Sequence, residues 1–341
     1  MKRKHVGSLI FLLLLIFLTV YAVVKGNDMN AVIRAIKTID RGWLMLCAAA
    51  AILFVSGEGC IIWYLFGSLG IRTRILQCVK WSFIGFFFSG ITPSSTGGQP
   101  AQLYFMKKEG IRISDSTPVL MITAVLYKFV IVMIGALIGI FWGKQLSSYF
   151  GSYMWLFYLG FILNAALVVI LVFIMVSPAL SEKIVLGVEK LLVKFHILKQ
   201  SSGRKERLKN SIDQYQDVVN FFRTNKSKIF VATAMTLMQR VCAFCLTWFI
   251  YRGLGLNEAE PATVIVLQAA IYIAVDMMPL PGATGITELV YFAVFARIFT
   301  QELLTASMCV SRGISFYLVL LLSAVVYIVT YFRRARVAEQ A

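Results

Sequence analysis

The sequence predicts an all-α polytopic membrane protein, with about six full transmembrane helices and two re-entrant helical hairpins arranged as an inverted repeat. Three observations lead there. Of the 341 residues, 59% are hydrophobic and 14% charged, where a soluble chain carries roughly 25% charge. Several apolar runs reach the ~20 residues that a bilayer-spanning helix needs. Two further apolar regions are interrupted by nearly the same run of proline, threonine and glycine, in "ITPSSTGGQPAQLYF" (91–105) and "PLPGATGITELVYF" (279–292).

The elements follow in chain order. The N-terminus "MKRKHVGSLIFLLLLIFLTVYAVV" has the basic head and apolar core of a signal peptide, but its apolar part is long and no A-x-A site follows. It is read as an uncleaved first span at 8–24. Full spans are then expected at 43–66, 117–142, 153–177, 229–251 and 303–331. The two interrupted regions lie at 81–105 and 262–299. Pro93, Gly97 and Gly98 break the first, and Pro279, Pro281, Gly282 and Gly285 the second. Each flank is too short to cross a bilayer, so each region is expected to enter the membrane, turn at mid-depth and leave by the same side. Broken backbone survives at that depth only where protein buries it or a wet cavity lines it.

Charge sets the expected orientation. With the N- and C-termini in the cytoplasm, the inner segments hold 23 of the 33 Lys and Arg and the outer segments 6. This asymmetry, beside anionic lipid at the cytoplasmic face, accounts for the net charge of +17. A nucleic-acid partner is not expected. The polar segment 178–228 falls on the cytoplasmic side. "EKIVLGVEKLLVKFHILK" reads as an interfacial amphipathic helix, with His196 at the interface. A second helix, about 204–223, carries Leu208, Ile212, Tyr215, Val219 and Phe222. The single membrane domain 1–341 then divides into a first repeat, 1–152, and a second, 153–331, that holds the insertion. P-S-S-T-G-G from Pro93 aligns with P-G-A-T-G-I from Pro281, and the inverted order places a site near the midplane between the breaks.

Residues able to carry chemistry cluster at these breaks. Thr96, Gly97, Gly98 and Gln99 have capping-box spacing at the start of the first hairpin's second arm. Thr284 with Gly285 is expected to do the same in the second. Either helix N-terminus would present free N–H groups and a positive dipole to an anion. The apolar runs also hold three acids, Glu58, Asp276 and Glu288, and three bases, Lys128, Arg240 and Arg312. Charges at this depth cost about 2.5–3.5 kcal/mol each on insertion scales and so face a cavity or a partner. Two readings stand side by side: mutual pairing with no ligand, or a polar groove whose bases bind a phosphate and whose acids suit an amine. Lys128 and Arg312, each on the span after a hairpin, are the first choice for phosphate. Six cysteines include Cys242-x-x-Cys245, which has no second pair and is read as packing. No metal, cofactor or catalytic residue is expected.

"TPSSTGGQPAQLYFMKKEGI" together with "PLPGATGITE" resembles the transmembrane, flippase-like part of the lysylphosphatidylglycerol synthetase family, over essentially the whole chain. The resemblance implies a multi-pass protein of the bacterial inner membrane that handles phospholipid, with lysyl-phosphatidylglycerol moved between leaflets. It also implies a separate lipid-modifying synthase as a partner. Many members read G-G-E where this chain has Gly97-Gly98-Gln99, so a role that needs a carboxylate there is not carried over; Glu288 matches the acid of the second motif. Full-length members add a soluble domain that transfers lysine from lysyl-tRNA to phosphatidylglycerol. Only a short basic tail follows residue 331, so that reaction is not expected of this chain alone. The expected function is thus a lipid flippase. The alternatives are a lipid-modifying enzyme of the phosphatidylglycerol lysyltransferase type and a secondary transporter of a small anionic solute.

Overall fold

The computed structural model describes residues 29–92, 95–177 and 204–340. The span expected at 8–24, Pro93, the amphipathic helix at 183–199 and His196 lie outside the described residues. The described residues are helical, with no strand among them. Four helical stretches are long and apolar enough to cross a membrane: Arg41–Ser68, Ile113–Val176, Lys226–Gly253 and Gln301–Phe332. The chain is therefore a multi-pass helical membrane protein. Large apolar side chains such as Ile140, Phe141, Phe230 and Met238 stand 74–76% exposed, a surface that only lipid would cover favourably.

Helix α1 (Met29–Thr38) leads into α2 (Arg41–Ser68), whose first N–H groups donate to the carboxylate of Asp40. Then follow α3 (Ile75–Gly90), α4 (Gly98–Lys108), α5 (Ile113–Phe150) and α6 (Met154–Val176). The stretch Ile113–Val176 is 64 residues, about 96 Å as one rod, or three bilayer cores. It folds back instead at Gly151, whose φ of 51° suits a residue without Cβ. Phe161 of α6 then packs on Gly135 of α5. Helix α5 runs well beyond the expected 117–142 at both ends, because Ser114, Leu146 and Phe150 are buried and hold the extra turns.

Helix α7 (Arg204–Thr224) buries Tyr215, Val218, Val219 and Phe222, and Ser114 donates to Gln214 at 2.8 Å. The expected apolar stripe is thus used against α5 from Tyr215 onward. The chain continues as α8 (Lys226–Gly253), α9 (Pro261–Val275), α10 (Ile286–Phe295), α11 (Gln301–Arg312) and α12 (Val319–Gln340). A π-helical turn, Gly313–Leu318, joins α11 to α12.

Both interrupted regions are short helix, break, short helix. In the first, α3 and α4 span only about 24 and 16 Å, against a hydrocarbon core of ~30 Å. They lie side by side: Gln102 of α4 packs on Gly85 of α3, and Ser89 on Gly98. Their open ends are tied by Glu109, which accepts from Gln77 at 2.8 Å, Lys80 at 2.7 Å and Trp81 at 3.1 Å. In the second, α9 and α10 share a core that includes Leu267, Ile271, Val290 and Val294.

The two breaks share a backbone feature. Among the described residues only two non-glycine residues have positive φ: Ser95 at 55° and Ala283 at 49°. They occupy the same position when the two motifs are aligned on their prolines, and the helices that follow, α4 and α10, begin at the same aligned position, Gly98 and Ile286. The left-handed conformation costs an L-residue about 1–2 kcal/mol, so both breaks hold a strained residue next to a helix start. Ala283→Val, which adds β-branching there, is expected to lower the thermal unfolding midpoint in detergent by several degrees. Ala283→Gly should not lower it.

Candidate functional site

The breaks come together. A cavity of about 210 Å³ is lined by Ser89, Gly90 and Ser95 from the first and by Leu280, Gly282 and Ala283 from the second. Phe316, in the π-helical turn after Arg312, bridges them from one side. Its ring lies against Gly282 and, at 3.6 Å from where a Cβ would sit, against Gly90. A π turn inserts one extra residue into the helix and re-aims the side chains that follow.

Of the expected site residues, Asp276, Glu288 and Arg312 line this cavity. Arg312 clamps the second break. Its Nε donates to Glu288 Oε1 at 2.8 Å, and its Nη2 donates to the Gly282 carbonyl at 3.0 Å and to Thr284 Oγ1 at 3.3 Å. The guanidinium also lies 4.7 Å from the Phe316 ring centre. The other oxygen of Glu288 accepts the Gly285 N–H at 2.6 Å. One carboxylate therefore caps α10 and holds the arginine, and both charges are nearly withdrawn from solvent, at 12% and 6% side-chain exposure.

Capping differs from the sequence expectation at both breaks. Thr96 and Gln99 do not form a box, because α4 starts one residue too late for Thr96 to be its cap. The cap residue is Gly97, whose N–H donates to Thr92 Oγ1 at 2.9 Å. Gln99 instead donates to the Leu120 carbonyl at 3.4 Å. Pro100 still fits, since the third residue of a helix has no intrahelical N–H bond to lose. At the second break Thr284 precedes the cap, Gly285, and donates to the Pro281 carbonyl at 3.0 Å.

Beside the cavity is a second polar cluster. Lys128 Nζ sits 2.5 Å from Asp276 Oδ2, with 11% and 9% side-chain exposure. Tyr127 donates to the other Asp276 oxygen, and the Tyr127 and Tyr272 hydroxyls are 2.8 Å apart. Arg240 stacks between Tyr127 and Phe54, 3.9 and 4.5 Å from their ring centres, and its Nη1 donates to the Tyr272 hydroxyl at 3.5 Å. Glu58 accepts from Gln102 at 2.6 Å. Two of the three bases thus pair with acids, part of what the mutual-pairing reading expects, while Arg240 and Glu58 form no ion pair among the described residues. Lys128, Arg240 and Glu58 stand behind the cavity wall, and Arg312 on it. Thr92, Gln102, Tyr127 and Tyr272 are not singled out by any motif or spacing. Polar side chains within otherwise apolar runs were the available signal.

The lysylphosphatidylglycerol synthase TM region family matches residues 5–323. This chain belongs to that family. It is also similar to the UPF0104 membrane protein PH1989 of Pyrococcus horikoshii, with 24% identity over 266 residues, covering 75% of this chain and 77% of the relative. Membership places this lysylphosphatidylglycerol synthase-type membrane region among proteins associated with membrane lipid, and the paired motifs that carried the resemblance are the two breaks lining the cavity.

Truncating one member of a buried ion pair leaves the other charge stranded, at about 3–5 kcal/mol, whereas replacing both can be neutral. Asp276→Leu alone is therefore expected to lower the thermal midpoint more than the double replacement Asp276→Leu with Lys128→Met. A double-mutant cycle on the purified protein checks the order.

Proposed function

We propose that this protein is a flippase-like lipid carrier of the bacterial cell membrane, in which a phospholipid headgroup passes through the cavity between two re-entrant hairpins while its acyl chains stay in lipid. Lysyl-phosphatidylglycerol is the candidate substrate, supplied by a separate synthase. The observation that carries the reading is the pairing of the two breaks at one cavity with Arg312 on its wall. A helix N-terminus offers partial positive charge and N–H groups, and a guanidinium offers a full charge with forked donors for phosphate. Glu288 and Asp276 on the same wall suit the amines of a lysyl headgroup.

In this proposal α3–α4 and α9–α10 are the re-entrant arms, 1–152 and 153–331 are inverted repeats, and both termini and 178–228 are cytoplasmic. The matched left-handed residues Ser95 and Ala283, and the matched helix starts after them, support the repeat. The charge bias supports the orientation. With the six native cysteines replaced, a membrane-impermeant thiol reagent added outside intact cells is expected to label Ser148→Cys and to miss Lys205→Cys. Labelling of Lys205→Cys would reverse the topology.

The cavity volume of about 210 Å³ favours a second reading, because a small anion would fill such a space without acyl chains; drug-sized ligands occupy ~300 Å³ or more. Reconstituted vesicles separate the two. The flippase reading expects a labelled phospholipid to change leaflets in the presence of wild-type protein. It expects the double replacement Arg312→Gln with Glu288→Gln, which strands no buried charge, to slow this about tenfold or more, the usual worth of a charge-assisted hydrogen bond. Movement of inorganic phosphate with a stationary lipid would favour the solute transporter.

A further inference from the structure

Two charges, one buried and one half-buried, remain outside the pairs described above. Among the described residues, neither Glu58 nor Arg240 makes an ion pair within 4.0 Å. Arg240 is 6% exposed, and its Nε is buried with no hydrogen-bond partner among the described residues. Tyr272 and two aromatic faces hold the rest of its guanidinium. Glu58, half-buried on α2, has one hydrogen bond, from the neutral amide of Gln102. Gln102 is itself 2% exposed and wedged against Gly85, where a Cβ would leave no room for it. A single amide is poor compensation for a carboxylate at membrane depth, and a carboxylic acid there costs far less.

We infer that Glu58 is a proton-binding site whose occupancy sets the position of the first hairpin relative to Arg240. With a proton bound, the side chain is a neutral acid: Oε1 keeps the Gln102 amide, and Oε2–H is a donor. When the proton leaves to water, the carboxylate attracts the Nε of Arg240, which lies on α8, the helix that packs on α2 where Gln239 meets Gly57. The other ionisable groups on the neighbouring helices are already engaged, which allows this. Gln102 comes from α4 and Arg240 from α8. Tyr127 and Lys128 on α5 are engaged by Asp276, Lys80 on α3 by Glu109, and Arg312, beside the π-helical turn, by Glu288. Moving Arg240 has a consequence at the cavity, because Phe54 and Tyr272, which hold it, both line the wall. The link from proton to headgroup passage rests on the flippase reading; the proton site does not.

The test therefore uses no lipid substrate. Infrared difference spectra of the purified protein across a pH titration are expected to show a protonated carboxyl C=O band that Glu58→Gln removes. Glu58→Asp is expected to retain a band at a shifted midpoint. Spin labels at Leu53→Cys and Tyr104→Cys, both exposed positions, should report a distance change between α2 and α4 on crossing that midpoint, absent in Glu58→Gln. A band that persists in Glu58→Gln, or a distance unchanged by pH in the wild-type background, overturns the inference. Lipid movement in vesicles is scored separately: its absence in wild type would sink the flippase reading while the spectra still decide the proton site.

Discussion

A helix that stops inside hydrocarbon leaves up to four backbone N–H or C=O groups without a partner, and each costs several kcal/mol where no water can reach. In the proposed topology this chain stops helices twice inside the bilayer, and the arrangement of its centre answers that cost. Thr92 satisfies the Gly97 amide at the first break. At the second, Glu288 satisfies the Gly285 amide and Arg312 the Gly282 carbonyl. Phe316 then closes the space between the breaks with an apolar face. What is left is a cavity whose mostly apolar wall carries Asp276, Glu288 and Arg312.

The charges belong to the same solution. Withdrawn from solvent, Arg312 could not hold the Gly282 carbonyl without an acid beside it, and Glu288 could not cap α10 as a carboxylate without a cation. Each makes the other tolerable, so a capping interaction worth about 1 kcal/mol in water becomes part of a charged clamp. Lys128 and Asp276 form an equivalent pair on the adjoining helices, with Tyr127 and Tyr272 supplying hydrogen bonds to the carboxylate and to each other. Arg240 differs in kind. It is held by aromatic faces, an arrangement that leaves its Nε uncommitted.

The long apolar helices among the described residues, and the breaks, were legible in the sequence because length, apolarity and the residues Pro and Gly act locally. The matched motifs at Pro93 and Pro281 also pointed to the cavity, and Asp276, Glu288 and Arg312 proved to line it. Less could be read of partners. Three acids and three bases can pair in several ways, and only the packing of α5 on α9, and of α11 on α10, selects Lys128 with Asp276 and Arg312 with Glu288. The capping of α4 was misassigned because Thr96 and Gln99 have the right spacing, while the helix starts in a register set by contact with α3 and the hydroxyl of Thr92. Hydropathy bounds the crossing at 117–142, and Leu146 and Phe150 extend α5 beyond it by tertiary burial, which hydropathy does not report.

The account depends on the two breaks lying together at the depth of the bilayer centre, around a lipid headgroup. An experimental structure in a lipid nanodisc, with the membrane plane resolved, measures this directly. It is expected to place residues 95–98 and 281–286 near the midplane on opposite sides of the cavity, with lipid phosphate in hydrogen-bond reach of Arg312. Either break at the level of the surrounding headgroups, or bound lipid confined to the outer surface of the helices, would contradict the account.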